Sequence, residues 1–227
     1  LALVPVVLVH LPLVAEALDD LSLGGERLHR TLAELGTLNR WLGNTRAVTR
    51  AASRGAAGHG PVSVVELACG GGDLLGATGR ALPACTAVHG IDGNPHTVAW
   101  AALHVPEATF SVEDVTAPDY SVPECDVLII SHFLYHLSDA DVPAFLARQQ
   151  ARVRCAIVVS ELIRSPWAQR GFAALAWALG VSELTRQDGL LAIQRAWTIS
   201  ELRQTLEPLK TPWTLSRTDP FRLIVAI

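Results

Sequence analysis

One stretch, from Val62 to Leu74, constrains the fold of this chain more than any other. Its first part is apolar and β-branched, as in a strand that is buried on both faces of a parallel sheet. It then passes through an acid, Glu66, into a glycine-rich turn and the start of a helix. Open α/β sheets bind ligands at the carboxyl ends of their strands. The stretch therefore predicts a ligand-binding loop, in which Gly70 and Gly72 let a ligand approach the backbone.

Two nucleotide cofactors compete for this loop. Counted from Gly70 and Gly72, a dinucleotide site needs a third small residue where this chain has Leu75. Leucine is too large for the close helix–strand packing that glycine permits there. A pyrophosphate would also lie beside the Glu66 carboxylate, which repels it. The carboxylate would instead attract a cationic ligand, such as an ammonium group next to a sulfonium. The residues favour such a cationic cofactor, with NAD(P) and an oxidoreductase activity as the alternative.

The run Glu66–Gly72 resembles the first motif of class I S-adenosylmethionine-dependent methyltransferases, an acid followed by three glycines at alternate positions. Gly70 and Gly72 match the second and third of those glycines, and Cys69 lies in the same loop. Ala68 stands at the first. The resemblance implies that this loop binds S-adenosylmethionine, and that Ala68 narrows the floor of the loop and weakens the affinity.

A second predicted strand ends in another acid, Asp92, followed by Gly93, Asn94 and Pro95. In similar methyltransferases an acid at this point accepts hydrogen bonds from both ribose hydroxyls, and the resemblance gives Asp92 that role, with Gly93 and Asn94 beside it. Asn94 and Pro95 also predict a helix start, as cap and first helical residue. The alternative is that these residues only form a turn. The binding role is favoured because Asp92 and Glu66 both stand at the ends of predicted strands and would lie at the same edge of the sheet.

The third predicted strand, residues 108–112, leads into two acids. The resemblance implies that Asp114 binds the amino group of the adenine and that the backbone N–H of Val115 meets the ring. Glu113 stands where glycine is frequent in the family, so either carboxylate can be the one that points inward. The other interpretation is a solvated acidic pair in a loop.

The fourth predicted strand, residues 126–131, ends in Ser131 and is followed by two histidines. Similar methyltransferases carry a serine here, before a His-His-Leu or Tyr-His-Leu run, and this strand end faces the methyl group. Ser131 is therefore expected at the cofactor, and His132 and His136 are the candidates for deprotonating an acceptor near neutral pH. His132 is the first choice because it is nearest to the strand end. For both, the alternative is a bond to the backbone or packing against the cofactor.

Two regions lie outside the shared cofactor core and are expected to choose the acceptor. One is an N-terminal helical cap with Arg40 and Trp41, and the other is an insertion at about residues 163–197 with Arg164 and Trp167. The aromatic side chains of the insertion have two interpretations. They line an apolar pocket for the acceptor, or they only pack a helix on the sheet. From residue 38 onward the chain resembles small-molecule methyltransferases of ubiquinone and menaquinone synthesis and of phenolic polyketide tailoring. This resemblance implies secondary metabolism and a phenol- or quinol-like acceptor, methylated on oxygen or carbon.

Alternating strands and helices predict an α/β fold, and 227 residues suffice for one such domain but are few for two. The resemblance implies a Rossmann-like, doubly wound, seven-stranded and mostly parallel sheet with an antiparallel C-terminal strand. Residues 1–60 are assigned to an N-terminal extension and helical cap, and residues 61–227 to the cofactor-binding domain.

Composition narrows the partners. A net charge of −4 argues against a nucleic-acid groove. Three arginines spaced four apart, Arg46, Arg50 and Arg54, indicate a solvated helix face, with an anionic partner as the minor alternative. The four cysteines lack C-x-x-C spacing and indicate a reduced compartment, with neither disulfides nor a metal site.

The apolar run at residues 1–15 is shorter than the roughly 20 residues of a membrane-spanning helix and contains two prolines. We therefore expect a cytoplasmic protein without a membrane span, with a signal peptide as the alternative. The oligomeric state stays open, a homodimer included. A non-catalytic subunit that binds S-adenosylmethionine is a third functional alternative, because binding and turnover use the same motifs.

Overall fold

The computed structural model of the protein describes residues 15–218 and 221–227. The first fourteen residues of the apolar N-terminal run lie outside the described part. The helices are α1 (Gly25–Trp41), α2 (Asn44–Gly55), α3 (Asp73–Ala81), α4 (Pro95–His104), α5 (Val142–Gln150), α6 (Pro166–Leu179), α7 (Glu183–Arg195) and α8 (Ile199–Leu206). The strands are β1 (Val62–Leu67), β2 (Cys85–Asp92), β3 (Thr109–Val112), β4 (Cys125–Ser131), β5 (Val153–Leu162), β6 (Thr214–Thr218) and β7 (Arg222–Ala226).

The seven strands form one sheet in the order β3-β2-β1-β4-β5-β7-β6. Strands β1 to β5 are parallel, and β7 runs antiparallel to both of its neighbours, β5 and β6. Strand order reverses between β1 and β4, so the crevice for a ligand lies at the carboxyl ends of these two strands. The predicted Rossmann-like sheet with its antiparallel C-terminal strand is confirmed.

Alternation of side chains along the central strands produces two cores, one on each face of the sheet. Val65 and Leu128 belong to the core that contains residues of α5 and α8. Val64, Ile129 and Val158 belong to the other core, with residues of α2 and α3. Each fully buried aliphatic side chain of this kind contributes about 1.5–3 kcal/mol relative to an exposed one.

The face of the sheet that packs on α2 becomes polar at its carboxyl edge. The polar residues are Glu66 on β1, Ser131 on β4, Ser160 on β5 and Arg222 on β7. Each lies two positions from an apolar residue of the same strand that faces α2. Because the side-chain period of a strand is two, these four residues share the face of their apolar neighbours. The topology therefore gathers a row of polar groups at the edge where the ligand crevice lies.

Helix starts follow local sequence at several points. The Asn94 side chain accepts the backbone N–H of His96 and caps α4, which confirms its predicted capping role. Ser165 caps α6, and Thr198 forms a capping box with Glu201 at α8. These oxygen acceptors satisfy N–H groups that the helix itself leaves without partners.

Two features of the helices are not those that local sequence predicts. Asparagine is a common helix cap, and the sequence predicts that Asn44 caps α2; it is instead the first residue of that helix, and its amide donates to Ser131 at the sheet edge. Helix α7 forms in the insertion, where the sequence shows no clear helical period. No helix of the described residues is long and apolar enough to cross a membrane. Arg46, Arg50 and Arg54 are exposed on α2, as expected for a solvated face.

Candidate active site

The loop after β1 has a backbone conformation that suits glycine. Its residues Ala68, Gly70 and Gly72 have φ angles of 51°, 52° and 73°. A Cβ atom at Gly72 would lie 3.0 Å from the ring of Phe110. The left-handed region costs a residue with a Cβ atom roughly 1–2 kcal/mol. Ala68 is therefore strained at the position that matches the first glycine of the motif.

Three carboxylates converge on this loop: Glu66 at the end of β1, Asp73 at the start of α3 and Asp92 at the end of β2. Burial, together with the charges of Asp73 and Asp92, raises the pKa of Glu66 well above its ordinary value. Burial also raises the pKa values of Asp73 and Asp92. The thiol of Cys69 lies among them, and its pKa is raised by burial and by all three acids. The loop therefore holds three carboxyl groups whose negative charges exceed the positive charge of the described residues beside them.

Glu66 carries the clearest sign of a ligand. Its side chain is 2% exposed, and Oε2 has no hydrogen-bond partner among the described residues. Leaving a buried carboxylate oxygen without a partner costs roughly 1–3 kcal/mol or more. A cation placed at this loop would remove that cost and lower the raised pKa of Glu66.

Asp92 is held by the backbone of the loops on both sides of it. Its Oδ2 accepts the N–H of Gly70 at 3.0 Å, and its Oδ1 accepts the N–H of Asn94 at 3.0 Å. Asn94 in turn donates from its amide to the carbonyl of Leu23 at 2.9 Å. A Cβ atom at Gly93 would lie 3.3 Å from the side chain of Leu21. The segment before α1 therefore lies against the loop that carries Asp92.

The third predicted contact lies at the end of β3, beside Asp92. Asp114 is exposed and accepts the N–H and the hydroxyl of Thr116, which lower its pKa. Glu113 accepts the hydroxyl of Ser111 at 2.6 Å, and its own N–H donates to the carbonyl of Asp92 at 3.1 Å. The side chain of Val115 is buried in the core with α5 and α8. Of the two acids, Asp114 is the more exposed.

Ser131 belongs to a buried polar network. The Asn44 amide donates to Ser131 Oγ at 3.1 Å and to Asn39 Oδ1 at 3.0 Å, and Asn44 Oδ1 accepts the Ser160 hydroxyl at 2.8 Å. Asn39 donates onward to Asp73 at 3.3 Å. The network connects the acidic loop with the ends of β4 and β5.

His132 follows β4 directly, with a left-handed φ of 55°. Its Nε2 accepts a hydrogen bond from the guanidinium of Arg222. Burial, and then the charge of Arg222, hold the pKa of His132 well below its ordinary value. Because a guanidinium only donates, Nε2 carries no proton and is not free to take one.

His136 lies one turn further on, against the segment that precedes α1. Its Nδ1 is 3.2 Å from Asp19 Oδ1 and 3.1 Å from Arg195 Nη2. Arg195 also bonds to Glu16 at 3.1 Å and lies 4.9 Å above the ring centre of Tyr135. Burial raises the pKa of Glu16 to about 8, against the charge of Arg195.

The pKa of Asp19 moves the other way. Burial alone would raise it, but the hydrogen bond and the charge of His136, with further help from Arg195, lower it below the ordinary value. Asp188 on α7 fixes the segment by accepting the N–H groups of Ala17 at 2.9 Å and Leu18 at 3.1 Å. This N-terminal segment thus brings Asp19 to His136.

The four residues expected to bind the acceptor are not brought together by contacts of their own. Arg40 is exposed and bonds to Thr37 within α1, and Trp41 is 70% exposed. Trp167 is 67% exposed, with the guanidinium of Arg170 5.4 Å from its ring centre. Arg164 is buried and paired with Glu201.

The aromatic residues of the insertion divide between the two interpretations. Phe172 is buried in a small core with Leu38 and Ile193, so it packs α6 against its neighbours. Trp177 is 82% exposed. Within the described residues, no group of three or more His, Cys, Asp or Glu side chains is arranged to hold a metal ion, and all four cysteines are free.

Sequence reasoning missed several polar residues of the site. Asp73 had a signal, since it directly follows the last glycine of the loop. The others are distant in sequence from the motifs, and no spacing points to them: Asp19, Asn39, Asn44, Glu161 and Arg222. Their places depend on which strands and helices become neighbours.

Comparison with known proteins gives a consistent result. Residues 64–155 match the profile of the methyltransferase domain family. No significant relative is found among the curated protein sequences. Among the solved structures that share the fold are three methyltransferases with bound SAH or SAM.

The plantazolicin methyltransferase BpumL, with a triazolic desmethylPZN analog and SAH, has a TM-score of 0.63 at 16% identity, covering 87% of this chain and 89% of its own. Magnesium protoporphyrin IX methyltransferase from Synechocystis PCC 6803, with bound SAH, has a TM-score of 0.53 at 17% identity, with coverages of 81% and 82%. Human N-acetylserotonin methyltransferase, with SAM, has a TM-score of 0.61 at 16% identity, with coverages of 96% and 62%.

Proposed function

We propose that this chain, a class I S-adenosylmethionine-dependent methyltransferase, transfers the methyl group to an oxygen or a carbon of a small, phenol- or quinol-like acceptor. The observation that carries the cofactor assignment is the buried, unpaired Oε2 of Glu66 among two further acids. S-adenosylmethionine bears an ammonium and a sulfonium, which are the charges that this loop lacks. When bound, it supplies an electrophilic methyl group.

The remaining cofactor contacts follow the sheet edge. Asp92 is positioned to accept the ribose hydroxyls while the N–H groups of Gly70 and Asn94 hold its carboxylate in place. Asp114 and the N–H of Val115 serve the adenine at the end of β3. Ser131, held by the amide of Asn44, contacts the cofactor at the end of β4, where the methyl group faces the acceptor. The chain thus binds and orients, and exclusion of water falls to the N-terminal segment.

The alternative of an NAD(P)-dependent oxidoreductase has little support. Leu75 is fully buried where a dinucleotide loop needs a small residue. A pyrophosphate would bring two further negative charges toward Glu66, Asp73 and Asp92, whose pKa values are already raised. A pyrophosphate would therefore bind here only with uptake of protons by these carboxyls, which disfavours it relative to a cationic ligand.

We assign the role of base to His136 rather than His132. The Nε2 atom of His132 already accepts from Arg222. Nδ1 of His136 lies 3.2 Å from Asp19 Oδ1 and 3.1 Å from Arg195 Nη2, so unlike Nε2 of His132 it has a carboxylate to which it can donate. In the tautomer with the proton on Nδ1, shared with Asp19, the Nε2 atom keeps its lone pair for the acceptor. A phenol or hydroquinone gains nucleophilicity when such a base removes its proton. The names of the structural neighbours, which include the methyltransferases of N-acetylserotonin and of magnesium protoporphyrin IX, support a small-molecule acceptor.

A turnover screen tests this proposal. The purified chain is incubated with S-adenosylmethionine and matched pairs of phenols, hydroquinones and their amino analogues, and S-adenosylhomocysteine and methylated product are measured by mass spectrometry. We expect product with hydroxylated acceptors, and a loss of about 100-fold in His136→Gln, the typical size of a general-base contribution. His59→Gln, an exposed histidine in the loop before β1, is the control.

The outcomes separate the alternatives. Methylation of the amino analogues alone would contradict the phenol- or quinol-like acceptor while leaving the cofactor assignment in place. Binding of S-adenosylmethionine without turnover of any acceptor would support the non-catalytic subunit.

A further inference from the structure

Arg222, the first residue of β7, is a buried arginine that sheet packing does not explain. Its exposed fraction is 2%, and its Nε has no hydrogen-bond partner among the described residues. Replacing buried ion pairs with apolar residues is often neutral or stabilising, so stability alone gives no reason for an arginine here. The hydrogen bonds of its guanidinium lie at the carboxyl edge of the sheet, to the ring of His132 and to the hydroxyl of Ser160 at 3.3 Å. Glu161, on the same edge, acts on its pKa through its charge.

The contact with His132 fixes the position of the proton on the imidazole. Burial lowers the pKa of Arg222 to about 10 against the charge of Glu161, so the guanidinium remains protonated near neutral pH. It has only donors, which makes Nε2 of His132 the acceptor and leaves the ring proton on Nδ1. No described residue bonds to that Nδ1. His132, which is partly exposed, therefore has one N–H left for a ligand.

The backbone around His132 is held in place from a second side. Glu161 Oε1 accepts the N–H of Phe133 at 3.1 Å and of Leu134 at 2.9 Å. This bond pair secures the turn in which His132 adopts its left-handed φ of 55°. Strained residues that their surroundings hold in place cluster at ligand-binding and catalytic sites. Glu161 fixes the backbone, and Arg222 fixes the ring.

We propose that Arg222 is a positioning residue that keeps His132 as its Nδ1–H tautomer, so that His132 donates a hydrogen bond to an oxygen of the acceptor. The arrangement selects acceptors with a carbonyl or ionised oxygen near the methylated atom, such as ortho-hydroxy ketones and hydroxyquinones. The statement about the acceptor rests on the proposed function. The statement about the tautomer rests on the contacts of His132 alone.

The tautomer is measured by ¹⁵N NMR of protein labelled at histidine, with His132→Gln used to identify the signals of His132. We expect Nδ1 to be the protonated nitrogen in the wild type. Arg222→Lys, which still donates, should keep this tautomer. Arg222→Met should give a mixture of tautomers, and Arg217→Met, on the exposed side of the neighbouring β6, should change nothing.

Kinetics test the role of the tautomer. Arg222→Met should raise the KM for the acceptor at least tenfold and leave the affinity for S-adenosylhomocysteine within about threefold, and Arg222→Lys should restore most of the KM. A wild-type ring protonated on Nε2 would overturn the proposal, as would an unchanged KM in Arg222→Met. If Arg222→Met fails to fold, the wild-type and Arg222→Lys spectra still decide the tautomer. Absence of S-adenosylhomocysteine binding in the wild type would instead contradict the proposed function.

Discussion

The two halves of the sheet's carboxyl edge, which we propose as the cofactor side and the acceptor side, are built from contacts of different kinds. On the cofactor side, the backbone holds the acids: Asp92 accepts N–H groups from Gly70 and Asn94. On the acceptor side, side chains hold side chains, as Arg222 holds His132 and Arg195 holds His136. The partners on the cofactor side are at most 22 residues apart in these bonds, and those on the acceptor side are 59 and 90 apart.

The two kinds of contact differ in how far they can be recognised from the sequence. A loop whose bonds are made to its own backbone can be recognised from a short run of sequence, because glycine and acid positions alone define it. A site made of side-chain pairs from distant elements has no such signature. The residues of the cofactor side can thus be identified from the sequence, whereas those of the acceptor side can be identified only from the folded structure.

The largest effect is expected on the cofactor side, from Asp92→Asn. The asparagine keeps one acceptor oxygen but loses the charge, and its NH₂ group meets an N–H donor of a flanking loop. A hydrogen bond to a charged group contributes about 1.5–3 kcal/mol. Weakening the two bonds that Asp92 accepts from the ribose hydroxyls should therefore reduce the affinity for S-adenosylmethionine at least about 100-fold. Calorimetric titration measures it, with the exposed Asp119→Asn as control. Equal affinities in the two variants would remove Asp92 from the cofactor site.

On the acceptor side, Glu161→Gln should change the stability of the fold rather than the affinity for the cofactor. Burial raises the pKa of Glu161 from 4.5 to about 8. The folded state then binds a proton that the unfolded state releases, so this group's contribution is full below pH 4.5 and is lost as the pH rises toward 8. Wild type should lose a few kcal/mol relative to Glu161→Gln across this window. Denaturant unfolding at several pH values measures it.

The same variant should bind S-adenosylhomocysteine within about twofold of wild type. A large loss of cofactor affinity in Glu161→Gln would show that the two sides are not separate. An identical pH dependence of stability in both proteins would mean that Glu161 is ionised in the fold.

Glu66→Gln tests the charge of the cofactor loop. The pKa of Glu66 is raised, so the free protein holds this carboxyl protonated above its ordinary pKa, and a cationic cofactor must displace that proton. Wild-type affinity for S-adenosylmethionine should therefore increase with pH until Glu66 is ionised in the free protein. The variant should bind about tenfold more weakly at high pH and show a flatter profile. Calorimetry in two buffers of different ionisation enthalpy detects the released proton; a pH-independent wild-type affinity would count against the acidic loop.

Ala68→Gly should have the smallest effect. It removes a Cβ atom from a backbone with φ of 51°, which should stabilise the folded protein by about 1 kcal/mol and raise the midpoint of thermal unfolding. Ala151→Gly, at an ordinary φ of −61°, is the matched control and should destabilise. Should both variants lose stability, Ala68 is not strained.

The sequence predicted the parallel strands and the acidic loop because each is defined by a local pattern, and the antiparallel C-terminal strand followed from the family resemblance. Apolar runs defined the strands, and the Glu66 and Gly72 spacing defined the loop. The sequence did not predict α7, whose apolar positions show no clear helical period, or the bond from Asn44 to Ser131. The choice between His132 and His136 depended on Arg222, whose contact with His132 spans 90 residues.

The central claim is that the acidic loop binds the cationic cofactor of a methyltransferase. The most direct test is calorimetric titration of the purified chain with S-adenosylmethionine, S-adenosylhomocysteine and NADH in parallel. We expect micromolar dissociation constants for the two sulfur ligands, which correspond to binding free energies of about −8 kcal/mol, and no binding of NADH. Binding of NADH alone would contradict it.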